Sequence, residues 1–439
     1  MTMGTLFRYL FLLDRQAIHD IAACRKAVWI GLLFVLSAGF AREYDGEDLL
    51  AEPWHLFLPL GASLVTSVLL FGVVWAIDAG WKRNVISFGR DYRRFLSLFW
   101  MTAPLAWLYA IPVERLFSPA RAVEANLWLL GIVATWRVAL MVRVVSTVFH
   151  FSLSRSIFPV FFFADSLMVV ILFLTPLPVF SIMGGIRLTE SEQLLQTTAF
   201  LVGGIGILSW PIWLIGTVVI ASRPFPNRSD LVPASSAHDY PTKALWTLAI
   251  ASLAIWACIL PLTQPEQRRR RQVGTLLRAG HIEQALETMS AHERRDFPPH
   301  WDPPPRISYG ETNPDLPKVL EVLIAVETKP WVSELYWEKF RDLIGRGNEY
   351  HNYWLYLDEA EFDRHLAILE HIPKNSPILA EQRDMLETLL KEPPSATALT
   401  STQKDLLQKL LEEFKNDGLQ QRHRDNDLEQ LDETQESAP

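Results

Sequence analysis

The sequence predicts an all-α membrane protein, a polytopic transmembrane bundle of six or seven spans followed by a soluble all-helical C-terminal domain. Three observations carry that prediction. Long apolar stretches recur between residues 27 and 262. Charge divides at the same place: residues 1–262 hold 19 Lys+Arg against 16 Asp+Glu, and residues 263–439 hold 22 against 33, so a balance of +3 gives way to −11. Beyond residue 262 the apolar residues fall three and four apart, the spacing of one helix face, and no alternating strand pattern persists. The order is lipid, then water.

Residues 1–26 place Leu6, Tyr9, Leu10, Leu13 and Ile21 near helical spacing beside charges. That suits an amphipathic interfacial segment, lying on the membrane or packed against the bundle. MTMGTLFRYLFLLDRQAIHD lacks the basic start, unbroken apolar core and cleavage site of a secretory signal, so the first membrane segment reads as a retained anchor. The bundle, 27–262, contains apolar segments at Ala27–Phe40, Leu56–Ile77, Phe95–Val113, Ala125–Ser146, Ile157–Phe180, Thr198–Ala221 and Ala244–Leu262. Most reach the ~20 residues that ~30 Å of hydrocarbon requires. The first is short enough to be interfacial or re-entrant. In the sixth, Gly203, Gly204, Gly206 and Pro211 mark a candidate broken helix, with Gly204 and Pro211 as the break site.

The soluble domain, 263–419, opens with GTLLRAGHIEQALETMSAHERR, two short helices around Gly280 that resemble half of a tetratricopeptide-type pair. No second copy follows at that period, so one helical domain is expected rather than an array. A proline-rich linker at 296–306 cannot be helical and is expected to run extended. Further helices follow, with Asp358 and Ser401 or Thr402 as N-caps. Residues 420–439 read as a disordered acidic tail.

Orientation follows the basic residues. Arg8, Arg15, Arg25 and Lys26, then Lys82, Arg83, Arg90, Arg93 and Arg94, place the N-terminus and the second loop in the cytoplasm. AREYDGEDLLAEP, with one arginine and five acidic residues, reads as external. Seven spans would leave the C-terminal domain outside, against the inside signal of QRRRR at 267–271. If one segment fails to cross, the conflict resolves, and the balance tips narrowly to a cytoplasmic domain. A plasma-type membrane is expected.

Arg137, near the middle of LWLLGIVATWRVALMVRVV, is the leading site residue, because a charge at bilayer depth is costly unless paired or wetted. Asp165 is its expected partner: in a hairpin turning near residue 151 the two lie at equal depth, Ser166 and Asp78 adding acceptors. Arg268, Arg269, Arg270 and Arg271 are candidates for lipid headgroup contact. The leucine stripe 406–414 needs a burial partner, its own domain or another protein. EYDGED lacks the ligand alternation of a calcium loop, no histidines form HExxH, and Cys24 and Cys258 build neither a disulfide framework nor a metal site. GxSxG, GxxxxGK[ST] and GxGxxG are missing from the sequence. The expectation is therefore a non-enzymatic membrane protein with no cofactor and no metal. Its partners would be the lipid bilayer and a protein bound by the helical domain, with no nucleic acid and the oligomeric state open. The alternative is a small-solute transporter or channel using the Arg137–Asp165 pair.

Overall fold

The computed structural model describes residues 1–79, 88–174 (side chains to 170), 189–222, 240–306, 314–345, 354, 357–372, 386–391 and 399–412. The tail at 420–439 and the loop residues Lys82, Arg83, Arg223 and Arg228 lie outside them. All regular structure among the described residues is helical. The chain divides into two compact units, Met1–Arg271 with Arg295–Trp301, and Gln272–Arg294 with Asp302–Pro439.

The first unit begins with α1 (Met3–Leu12), opened by a reciprocal cap between Thr2 and Thr5 and closed by Leu13 in the left-handed region, φ 49°. α2 (Arg15–Ala23) starts on Asp14, whose carboxylate accepts from Gln16 N. α3 (Ala27–Glu43) follows, bent 105° from α2. Then come α4 (Phe57–Ala79), α5 (Phe88–Trp100), a 3-10 stretch Ala103–Ala110 and the short α6 (Val113–Leu116). α7 (Pro119–Val148), α8 (Leu153–Leu174), α9 (Glu190–Ser222) and α10 (Lys243–Arg278) complete it. Among the described residues, six helical stretches are long and apolar enough to cross a membrane, seven if the bent α2–α3 pair counts as one.

The doubtful segment is thus the first, as expected. The sixth departs from expectation: α9 is one unbroken 33-residue helix that carries Gly204 and keeps Pro211 in its interior. A proline twenty residues inside a helix frees one carbonyl, which a neighbouring turn can still accommodate; it kinks without ending the helix.

Aromatic packing and polar clasps join the helices. Phe71 of α4 is ringed by Phe88, Tyr92, Phe95 and Phe149 at centroid distances of 5.1 to 5.9 Å. Indole N–H groups tie helices through serine hydroxyls: Trp100 to Ser63 at 2.9 Å, Trp107 and Trp256 both to Ser37 at 3.2 and 3.1 Å, and Trp210 to Ser166 at 2.9 Å.

α10 locates the two ends of the bundle. Just before it, Thr242 N donates to Met1 O at 3.0 Å, and the Lys26 ammonium lies 4.3 Å over the Tyr240 ring. Twenty-two residues later, about 33 Å at 1.5 Å per residue, Gln264 binds the loop that joins α3 to α4. The chain therefore leaves the bundle at the end opposite its N-terminus.

In the second unit, α10 runs on to Arg278, so the first of the two short helices expected around Gly280 is the end of that long helix. Gly280, φ +81°, makes the turn into α11 (Ile282–Ser290). α12 (Leu316–Ala325), α13 (Pro330–Ile344) and α14 (Glu359–Glu370) follow, α14 capped by Asp358 as predicted. Residues 297–306 carry no helix, and Pro304–Pro305 is cis. The Lys339 ammonium holds that segment, donating to Pro303 O at 2.6 Å and Pro305 O at 3.0 Å and pairing with Asp302. In the stripe at 406–411, Leu407, Leu410 and Leu411 are buried and Leu406 is half-buried.

Candidate functional site

α7 sets the depth of Arg137. Between Glu124 and Arg143 this helix carries no other charge. Those nineteen residues rise about 28 Å, close to one hydrocarbon thickness. Arg137 is six residues, about 9 Å, from the Arg143 level. α1 lies against the same stretch: the Trp136 indole donates to Leu10 O at 2.6 Å, and Arg143 Nε donates to Leu13 O at 3.0 Å. The interfacial helix is therefore docked on the bundle. Leu6, Tyr9 and Leu10 are buried beneath it, whereas Phe7, Phe11 and Leu12 are 57%, 51% and 62% exposed. Tyr9 donates to Leu98 O at 2.8 Å, and burial pushes its phenol above the usual range.

Arg137 shares its helix face with buried Val133, Leu140 and Val144, so it points inward, half-buried. Its guanidinium carbon lies 5.3 Å from the Phe99 ring centroid, within cation–π range. The Tyr9 and Tyr109 phenols are near enough to feel its charge.

The pairing of Arg137 with Asp165 is not formed. Asp165, twelve residues and about 18 Å along α8, accepts instead from the Ser209 hydroxyl of α9. Ser166 turns the same way, accepting from Trp210 and donating to Phe162 O at 2.6 Å. Equal depth in a hairpin leaves rotation about the helix axis free. Here the Asp165–Ser166 face of α8 packs on α9, not on α7. Asp78 is buried near the end of α4.

Of the helix-break residues, Gly204 has open space where a Cβ would stand. The close approach on α9 is at Gly216, whose Cβ would fall 2.0 Å from the Phe158 ring.

A second polar cluster closes the far end of the bundle. Gln264 Nε2 donates to Tyr44 O and Glu47 O at 3.1 and 3.2 Å, and its Oε1 accepts from Leu50 N at 3.3 Å. Gln267 reaches Asp45 O, and Arg270 reaches Gly46 O. Arg271 meets Asp48 at 3.4 Å and Glu52 at 3.6 Å, and Arg269 donates to Asp296 O at 2.9 Å. Three of the four arginines nominated for lipid headgroups are thus engaged by protein groups, and Arg268 is exposed. Burial, then the Glu114 charge, pushes the Asp45 carboxyl up to about 6. Glu47, Glu52 and His55 bring three ligand-type atoms within 4.8 Å of one another. Glu52 already faces the Arg271 cation there.

Sequence reasoning missed Tyr109, Phe99 and the two glutamines. Gln264 and Gln267, one turn apart directly after an apolar run, were the available signal for the clasp. No family model, curated protein or solved structure matches the chain.

Proposed function

We propose that the protein is a non-enzymatic polytopic membrane protein whose bundle sits in a plasma-type bilayer and carries the C-terminal helical unit in water as a protein-binding domain. One observation carries this reading. Among the described residues, every exposed large apolar side chain lies between Met3 and Leu262. A bundle with so many, including Phe200, Leu201, Ile205, Leu208 and Ile212 along α9, suits lipid and not water. Partners would meet the acidic unit through charge, since its described surface offers no large apolar patch.

On this reading the end bordered by Arg8, Arg15, Arg25, Lys26, Arg90, Arg93, Arg94, Arg143, Arg155 and Lys243 faces the cytoplasm. The C-terminal unit then stands on the other side. QRRRR is weakened as an inside signal on this reading because three of its arginines are engaged by the protein, Arg271 by the Asp48 and Glu52 carboxylates.

Carbonate washing of membranes tests the first half: retention in the pellet is expected, and release would sink it. For the second half, the full chain in mild detergent is tested for co-purifying proteins at low salt and at about 0.5 M salt. A specific partner lost at high salt is expected; none at either salt counts against a binding domain.

A second reading, passage of a proton or small cation, is favoured by Asp165. It sits at mid-bilayer depth with the Ser209 hydroxyl as partner and, among the described residues, no basic side chain in ion-pair reach. Proteoliposomes would show a cation leak that Asp165→Asn abolishes; equal leak with both proteins rejects it.

A further inference from the structure

Arg137 offers five N–H donors in a planar fork. Among the described residues it has the Phe99 ring beside it and makes no hydrogen bond and no ion pair. The Tyr109 hydroxyl, on the 3-10 stretch Ala103–Ala110, is half-buried near that charge and likewise makes no hydrogen bond. Asp165, the acidic residue at matching depth, is committed to Ser209. A half-buried cation and a phenol hydroxyl therefore each keep hydrogen-bonding capacity that no described residue takes up. A guanidinium in an apolar bundle is costly unless it is paired or wetted, and a group that brings negative charge and several oxygens matches its fork best.

We propose that Arg137 and Tyr109 form a site for one phosphate group, the guanidinium taking two of its oxygens and the Tyr109 hydroxyl donating to a third. This rests on the bundle lying in a bilayer, where phosphate-bearing headgroups are the anions at hand. α1 fits that setting. It is docked against α7 at Trp136 and Arg143, six residues from Arg137, and turns Phe7, Phe11 and Leu12 outward, an apolar surface for acyl chains beside the arginine level. The phosphate could also be free, and the ligand chemistry is the same.

The test uses the full-length protein, purified and delipidated in detergent, with thermal stability followed as three probes are titrated separately: phosphatidic acid, inorganic phosphate and diacylglycerol. Saturable stabilisation by a phosphate-bearing probe and not by diacylglycerol is expected. Phosphatidic acid acting alone assigns the site to a lipid; inorganic phosphate acting equally well assigns it to the free ion. Tyr109→Phe removes one oxygen and should weaken binding on the order of tenfold. Arg137→Gln should abolish it, and Arg121→Gln, an exposed arginine on the same helix, should leave it unchanged. If Arg137→Gln does not fold, Tyr109→Phe and Arg137→Lys carry the comparison. Equal stabilisation of the wild type and of every Arg137 and Tyr109 variant overturns the site, as does no stabilisation by either phosphate. Release of the protein from carbonate-washed membranes would instead overturn the bilayer placement, a separate outcome.

Discussion

The Ser37 hydroxyl of α3 takes two indole donors, Trp107 from the 3-10 stretch and Trp256 from α10, and is fully buried. Removing that oxygen takes away the acceptor that both N–H groups use. Ser37→Ala is expected to cost ~1–3 kcal/mol, read as a lower melting temperature in detergent. Asp45 gives a pH signature. Its folded-state pKa, about 6, lies above the 3.8 of an aspartate free in water, so over that interval the folded chain keeps a proton the unfolded chain has released. Its contribution is full below about pH 4 and is lost as pH rises through about 6. Melting temperature should fall across that window, and Asp45→Asn should flatten the slope and melt higher at pH 7; an unchanged slope would reject the assignment. Of these residues, only Arg137 stood out in the sequence, because charge type and depth are written in the chain. Its lack of an acidic partner was not, because helix rotation is settled by packing between faces.

Between elements, glycine has opposite consequences at two places. On α3, a Cβ at Gly31 would stand 2.8 Å from Trp100 Cβ, a backbone-anchored atom of α5 that cannot swing aside. On α9, Gly204 has nothing within 4 Å. Gly31→Ala should therefore lower thermal stability, whereas Gly204→Ala should be neutral or raise it by up to ~1 kcal/mol through helix propensity. A matching loss at both sites would contradict the packing. The helices themselves were legible. α4 covers the apolar run beginning at Leu56 almost residue for residue, whereas α7 and α9 contain the runs beginning at Ala125 and Thr198 but start at Pro119 and Glu190, because a helix continues past the apolar run until a cap or proline stops it. Their continuity was less legible: glycines and a proline in one run gave the signal of a break, yet the helix runs through all of them.

For the whole molecule, the decisive relation is that α10 touches the N-terminus at one end and the 44–52 loop at the other. The sequence held two opposed signals here, alternation of seven spans and the basic run 267–271. Only the contacts of Gln264, Gln267, Arg270 and Arg271 show that the basic run is engaged by its own bundle, a pairing more than two hundred residues apart that no local pattern reveals. The expected topology can be read directly. With Cys24 and Cys258 replaced by serine, single cysteines at Arg15, Leu50 and Arg268, all exposed positions, are challenged in intact cells with a membrane-impermeant maleimide. Leu50→Cys and Arg268→Cys should label together from outside, and Arg15→Cys only after permeabilisation. Labelling of Arg15→Cys alone from outside would keep the fold and invert its insertion. Labelling of Leu50→Cys and Arg268→Cys from different sides would break the clasp between loop and helix, and with it the continuous crossing of α10.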